Sequence, residues 1–537
     1  MQLKLNMIKM FRLTLLSAAT LRTSASTLRR NSFLKGAFRP LSTAPVSDHY
    51  EKRLTEQSMC QYLRHMEYAV RGKVVIKADE INAKLKESPK GTYPFDHIVY
   101  TNIGNPHSVG QKDLTWPRQV LALCDLPDEY GVDHPLAEEI FPVDAIARAK
   151  VIKKALNFHG TGAYTHSQGP LLFRQEICRF IEKRDGLQEG AVDPSDIYMT
   201  NGASSAIEMI LNALIADTTS GVMIPIPQYP IYSATISRYG GQQVGYYLDE
   251  KKGWDLNVAE LERSLANAKK HGIDVNSLVL INPGNPTGQV LQPSTVREIV
   301  KFCSENNLVL LADEVYQENV YAAGSEFYSC RQAAHDTGLD DADALELVSF
   351  HSTSKGLLGE CGRRGGYMEL LGFDPKIKAQ LYKLASSHLC SNVPGQIMTS
   401  LMVNGPKEGD ASYESYEEEK QEIYDSLKRR AKIVSEGFNK IEGFSCETAE
   451  GSMYCFPKIE MPLGAIDFAR ANGVTPDTLY ALSLLENTGI CVVPASGFGQ
   501  EKGRYGFRTT FLPAEEEMVH VVEAVKNHYE KFCKQFE

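Results

Sequence analysis

With 537 residues, 43% hydrophobic and 23% charged, the chain is long enough for two or three domains and has the composition of a soluble globular protein. No run approaches the roughly 18 apolar residues that span a bilayer, so neither a transmembrane helix nor a membrane partner is expected. Eight of the basic side chains fall in residues 1–47, which hold no acid; the remainder carries 49 basic against 67 acidic residues, a balance of −18 that excludes nucleic acid as a partner because it repels phosphates.

The basic leader is also rich in serine and threonine and opens with Met7, Met10, Phe11 and Leu15 at helical spacing. It reads as an amphipathic organelle transit peptide over 1–47, the alternative being a plain N-terminal tail. Early arginines and an early apolar face favour the mitochondrial matrix over the plastid, with cleavage expected between Arg39 and Asp48. Eleven cysteines are scattered without a C-x-x-C pair, so neither a disulfide frame nor a metal site is expected.

From Thr55 to Leu85 the pattern is mixed and partly helical, with Val70, Val74, Val75, Ile76 and Ala78 as a short buried segment. Residues 99–107 read as a strand that breaks into a loop at Gly104 and Pro106. Helices are predicted over 144–158 and 171–184, flanking a polar loop that exposes Tyr164. From about Asp196 the texture alternates. Strands are predicted at 197–199, 221–224, 278–281, 308–312 and 347–350, and helices at 205–215, 231–239 and 294–305. Repeated βα units with short apolar strands predict an α/β fold with a mostly parallel central sheet covered on both faces. A long helix follows over 413–442, then strands at 453–459, 490–493 and 505–511 and a helix over 515–532, which read as a smaller α+β unit.

In such sheets ligands gather beyond the carboxyl ends of the strands, so the loops there carry the functional argument. Asn201-Gly202-Ala203-Ser204 runs into a helix N-terminus, where free amides, the positive dipole end and the Ser204 hydroxyl suit a phosphate. Pro225 to Pro230 stiffens a loop that presents Tyr229, which could stack on a flat ring or plug the core. The two Asn-Pro steps and two glycines of 282–288 hold Asn285 as an amide donor. Asp313 stands directly beyond an apolar strand, where an unpaired acid is costly, with Tyr316 three residues on. The last loop carries Lys355 between hydroxyls and a glycine-rich basic turn. Pyridoxal 5'-phosphate has one need for each of these: a phosphate, a π face, a phenolic oxygen, a ring nitrogen to keep protonated and an aldehyde to hold on an amine.

Together with N-I-G-N-P-H-S-V-G-Q at 102–111, L-A-L-C-D at 121–125, N-P-G-N-P-T-G-Q-V at 282–290, A-D-E-V-Y-Q at 312–317, S-K-G-L-L-G-E-C-G-R-R-G-G-Y at 354–367, G-S-M-Y-C-F-P at 451–457 and F-R-T-T-F-L-P at 507–513, these loops give a chain that resembles the fold-type I aminotransferases and, within them, the alanine aminotransferases. The resemblance implies a large cofactor-binding domain over 141–412 and a smaller one built from an N-terminal arm, 48–140, and the C-terminal part, 413–537. It implies that Lys355 forms the Schiff base and moves the proton at the substrate α-carbon. Asp313 would pair with the pyridinium nitrogen, Asn285 and Tyr316 would bond the phenolic oxygen, and Tyr229 would stack on the ring. Ala203, Ser204, Ser352 and Arg364 would bind the phosphate, Gly104 and Arg508 the substrate α-carboxylate, and Tyr164 the phosphate of a second subunit, so a homodimer with shared sites is implied. Arg363 adjoins Arg364, and the G-x-R-x-G-Y spacing selects Arg364. The implied substrates are amino acids and 2-oxo acids, with alanine and 2-oxoglutarate giving pyruvate and glutamate. Glutamate:glyoxylate transamination is the alternative on the same scaffold, and a non-catalytic pyridoxal-phosphate-binding regulator a remote one.

Overall fold

The computed structural model describes residues 52–537 apart from 88, 90 and 342, so the predicted transit peptide and its cleavage window lie outside the described residues. The described residues Lys52 to Ser58 fall in a unit of their own, in which the Ser58 amide donates to Thr55 Oγ1 over 3.2 Å and the Ser58 hydroxyl to the Arg53 carbonyl over 2.8 Å.

The main unit is built on a seven-stranded sheet whose strands are, in chain order, β1 (Ile197–Met199), β2 (Ser220–Ile226), β3 (Gln242–Tyr247), β4 (Asp274–Ile281), β5 (Val309–Asp313), β6 (Leu347–Ser352) and β7 (Gly366–Leu371). They lie side by side as β1-β7-β6-β5-β4-β2-β3. The pairs β2–β3, β2–β4, β4–β5 and β5–β6 are parallel, and only β7 runs against its neighbours β1 and β6. Every residue of β5 and β6 is buried, which continuous apolar runs such as V-L-L-A permit because helices cover both faces. One face packs Leu278, Leu280, Leu310 and Leu347 against the helix Pro293–Glu305, and the other packs Ile281, Leu311, Phe350 and Met368 against the helices Ala203–Leu214 and Ile231–Tyr239. The α/β architecture with a mostly parallel sheet follows the sequence reading.

Register brings the functional loops to one edge. Ile281 pairs with Asp313 and Asp313 with Phe350, so the loops after β4, β5 and β6 leave the sheet together. Because β7 is antiparallel, it begins at that edge, with Gly366 opposite Ser352 and Tyr367 opposite Met199. Beyond the sheet, Val99–Tyr100 pairs in parallel with Ile490–Cys491, and Phe507–Thr510 pairs antiparallel with both Tyr454–Cys455 and Val493–Pro494.

Some local expectations change. Ile76 is 57% exposed, although Val70, Val74, Val75 and Ala78 are buried; the segment is the helix Lys73–Glu87, and Ile76 falls between the residues of its buried stripe. The strand expected over 453–459 divides into Tyr454–Cys455 and Lys458–Ile459, since Pro457 between them has no N–H for a ladder. The long helix ends at Phe438 and Ile441 is buried in the turn after it, whereas the last helix runs on to Phe536. Among the described residues no helix is long and apolar enough to cross a membrane.

Candidate active site

At the edge where these loops converge lies a cavity of about 430 Å³. Gly104, Ala203, Ser204, Tyr229, Asn285, Asp313, Tyr316, Ser352, Lys355, Arg364 and Arg508 all line it. Size does not select it: a wider cleft of about 920 Å³ between Tyr247, Trp254 and Arg504 holds none of these side chains.

Lys355 leaves β6 three residues after its last strand residue and donates from Nζ to the Gly104 carbonyl over 2.6 Å. Gly104 is needed there for want of a side chain: a Cβ on it would sit 2.5 Å from Tyr454 Oη and 2.8 Å from Lys355 Nζ. The Cys361 thiol donates to the Ser354 carbonyl over 3.0 Å and closes the same corner.

Asp313 is 3% exposed, one carboxylate oxygen accepting the Tyr232 hydroxyl over 2.9 Å and the other, Oδ1, having no hydrogen-bond partner. A buried unpartnered carboxylate oxygen costs roughly 1–3 kcal/mol, so Oδ1 is an acceptor awaiting a donor. Burial pushes this carboxyl up to about 6, against the opposing pull of the Tyr232 hydroxyl, the Val315 amide and the Lys355 ammonium. The sign for stability follows. The fold disfavours the charged form, so Asp313 contributes most below the ordinary carboxylate range and less as pH rises from about 4 to 6. In the cofactor-free protein this amounts to about 3 kcal/mol. Thermal unfolding of wild type is therefore expected to lose a few degrees relative to Asp313→Asn between pH 4 and pH 7, read by scanning both proteins across that range; parallel profiles would refute the assignment.

Arg508, 1% exposed, donates to Asn285 Oδ1 over 3.0 Å and to the Asn102 carbonyl, and its guanidinium lies between the rings of Tyr454 at 4.3 Å and Phe498 at 4.7 Å. Its Nε is buried without a partner. The planar fork is thus oriented before any ligand arrives, which is the geometry a carboxylate reads. Asn285 is held by its loop, in which the Gly284 amide donates to the Gln289 carbonyl over 2.9 Å and the Leu291 amide to Asn282 Oδ1 over 3.0 Å.

The end of the cavity lined by Ala203, Ser204 and Arg364 has the groups that could hold an anion. Gly202, with φ +76°, turns the chain from β1 into the helix Ala203–Leu214, whose first-turn amides have no partner within the helix. A Cβ on Gly202 would meet Arg364 Nη2 at 2.5 Å. Arg364 donates to Ser204 Oγ over 3.1 Å and to the Asn201 and Cys361 carbonyls over 3.0 Å each. Ser352 and Ser354 line the same end. Arg363 instead turns to Glu360, with 3.6 Å between Nε and the carboxylate, and is absent from the cavity lining. Between the two ends stand Tyr316, whose hydroxyl donates to Tyr454 Oη over 3.0 Å, and Tyr229, whose hydroxyl lies 3.1 Å from that of Tyr68.

Of the predicted residues only Tyr164 is not brought to the cavity; it is 76% exposed on its loop. Sequence reasoning missed Tyr232, Ser354, Cys361 and Tyr454. Ser354 and Cys361 lie within the lysine motif and Tyr454 within G-S-M-Y-C-F-P, while Tyr232 is one helical turn from Tyr229 with nothing in the sequence to mark it as a partner of Asp313.

The profile of the family "Aminotransferase class I and II" matches residues 133–525. A probable mitochondrial alanine aminotransferase of Dictyostelium discoideum is 50% identical over 491 residues, 91% of this chain and 91% of that protein. Glutamate–glyoxylate aminotransferase 1 of Arabidopsis thaliana is 45% identical over 486 residues, 90% and 98%. Among solved structures, an alanine aminotransferase from Pyrococcus furiosus superposes with a TM-score of 0.66 at 23% identity, covering 89% of this chain and all of that one, and shares the fold.

Proposed function

We propose, from the premise that this chain belongs to the aminotransferase class I and II family, that it transfers the amino group of L-alanine to 2-oxoglutarate, giving pyruvate and L-glutamate. One observation carries the reading: Lys355, the unpartnered Asp313 Oδ1 and the pre-oriented Arg508 fork face one cavity. The alanine aminotransferase relative at 50% identity supports the choice of substrates.

The residues present fit pyridoxal 5'-phosphate. Asp313 Oδ1 is a buried acceptor without a donor, as a ring N–H requires, and the Gly202 turn leaves Arg364 and Ser204 room for a phosphate. When bound, this group supplies an aldehyde that condenses with amines and a protonated ring that draws electrons from the substrate α-carbon. Arg364, Ser204, Ser352 and the amides of Ala203 and Ser204 would hold its phosphate, Tyr229 its ring face, Asn285 and Tyr316 its phenolic oxygen, and Asp313 its ring nitrogen. Asp313 keeps that nitrogen protonated because an ion pair restores the charged carboxylate that burial alone disfavours. Arg508 clamps the α-carboxylate, with the Gly104 amide beside it, and so presents the α-hydrogen to Lys355. With the group bound, the Lys355 amine would take the proton from the substrate α-carbon and hold it for return, and with the other 2-oxo acid the transfer would run in reverse. Cavity walls formed by Ile103, Tyr229 and Tyr454 limit water around the exchanging proton.

The smaller domain is read as 48–140 with 413–537 and the larger as 141–412, supported by the pairing of Val99–Tyr100 with Ile490–Cys491. A homodimer with shared sites is supported by exposed Tyr130, Ile140, Phe158 and Tyr164 on the 126–171 segment, Tyr164 being the residue offered to the partner's phosphate. The mitochondrial matrix is the compartment proposed for the mature chain, on the basic leader and the mitochondrial relative.

The glutamate–glyoxylate relative, at 45% identity over 90% of the chain, keeps glyoxylate as a second reading. Purified holoenzyme assayed with glutamate against pyruvate and glyoxylate side by side decides between them. A higher kcat/KM for pyruvate is expected, and a preference for glyoxylate would overturn the alanine assignment.

A further inference from the structure

Tyr454 serves only as cavity wall in the reading above, yet it is 2% exposed and both its hydroxyl and its ring meet residues of the site. Its short strand pairs with the strand of Arg508, Tyr454 opposite Thr510 and Cys455 opposite Thr509. Its ring takes one face of the Arg508 guanidinium and meets the Tyr316 ring edge-on, 5.8 Å away at 83°. Its oxygen accepts the Tyr316 proton over 3.0 Å. A phenol carries one proton, so if Tyr316 donates to a ligand oxygen, the contact with Tyr454 survives only with its direction reversed. The charged and titratable groups facing this pair are Lys355 and Cys361 after β6, Asp313 at the end of β5, Arg508 on its strand and Tyr229, with Tyr68, after β2. Burial pushes the Tyr454 phenol up, but Lys355, Arg508 and the Tyr316 hydroxyl more than offset it and leave it below the ordinary tyrosine range. A more acidic phenol is a stronger donor.

Building on the pyridoxal-phosphate reading, we propose that Tyr454 is a positioning residue: its hydroxyl donates to Tyr316 while Tyr316 donates to the cofactor's phenolic oxygen, and its ring face fixes the Arg508 fork. Two parts of one side chain then serve the two ends of the reaction. The hydroxyl strengthens Tyr316 as a donor, because hydrogen bonds in a chain polarise one another. Without it the phenolic oxygen is more basic, and the proton it shares with the lysine-derived nitrogen is held to higher pH.

The test uses holoenzyme of wild type, Tyr454→Phe and Tyr454→Leu, with a pH titration of the visible absorbance in the absence of substrate and KM for L-alanine and 2-oxoglutarate. Tyr454→Phe is expected to keep the absorbance, move its midpoint upward by about half a pH unit, and leave both KM values within about twofold. Tyr454→Leu is expected to move the midpoint likewise and also raise both KM values about tenfold, as a lost cation–π contact does. A Tyr454→Phe midpoint equal to or below that of wild type overturns the relay, and unchanged KM values in Tyr454→Leu overturn the ring's part. If the wild type has no lysine-linked visible absorbance, the pyridoxal-phosphate reading itself falls, a result distinct from both.

Discussion

Lys355→Ala is expected to lower turnover by at least about ten-thousand-fold, because it removes both the amine that carries the cofactor and the base that moves the α-proton. The fold is expected to survive. Lys355 is only partly buried and its one strong bond is to the neutral Gly104 carbonyl, while Asp313, which loses the pull of the Lys355 ammonium, keeps the Tyr232 hydroxyl. The cofactor is expected still to bind, through Arg364, Ser204 and Asp313, so the variant separates binding from chemistry. In wild type, borohydride treatment followed by peptide mass analysis should fix a pyridoxyl group on Lys355; in the variant no lysine should carry it. Lys355→Arg keeps the charge beside Tyr454 yet has no amine of usable basicity, and is expected to be as inactive as the alanine variant. Turnover within tenfold of wild type in Lys355→Ala would refute the mechanism.

Five strands of the central sheet were legible in the sequence because the inner ones are buried on both faces and therefore apolar, whereas the edge strand Gln242–Tyr247, with Gln242, Gln243 and Tyr247 exposed, and the antiparallel Gly366–Leu371 were not read. V-L-L-A at 309–312 and S-L-V-L-I at 277–281 have no other stable use at that length. The site was legible for a related reason: Tyr229, Asn285, Tyr316 and Lys355 lie in the loops after β2, β4, β5 and β6, so naming the strand locates them, whereas Gly104 and Arg508 come from outside the sheet and rested on the resemblance. What stayed hidden depends on distance across the fold. Tyr232 bonds Asp313 from 81 residues away and Tyr454 bonds Tyr316 from 138 away, and no periodicity links such pairs. Arg363 and Arg364 are identical in type and adjacent, and the G-x-R-x-G-Y spacing selects Arg364; the backbone supplies the physical reason, since Arg364 sits at φ +53° and bonds Ser204 while Arg363 faces Glu360. Ile76 was misplaced because five apolar residues in nine do not say which face of a helix is covered.

Arg508 carries the second large effect, and both substrates should feel it alike. Its guanidinium is held by Asn285, the Asn102 carbonyl and two aromatic faces before a ligand arrives, so little orientation entropy is lost on clamping a carboxylate. Hydrogen bonds to charged groups contribute about 1.5–3 kcal/mol each. Arg508→Lys keeps the charge but loses the fork, so kcat/KM is expected to fall roughly hundredfold. Arg508→Leu removes both bonds and is expected to cost between roughly hundredfold and ten-thousand-fold. Alanine has only an α-carboxylate, whereas 2-oxoglutarate has that group and a distal one. If Arg508 reads the α-carboxylate, the losses for alanine and for 2-oxoglutarate run in parallel across both variants. If alanine turnover survives and 2-oxoglutarate turnover falls, Arg508 reads the distal carboxylate, and the α-carboxylate must be held elsewhere on the cavity wall.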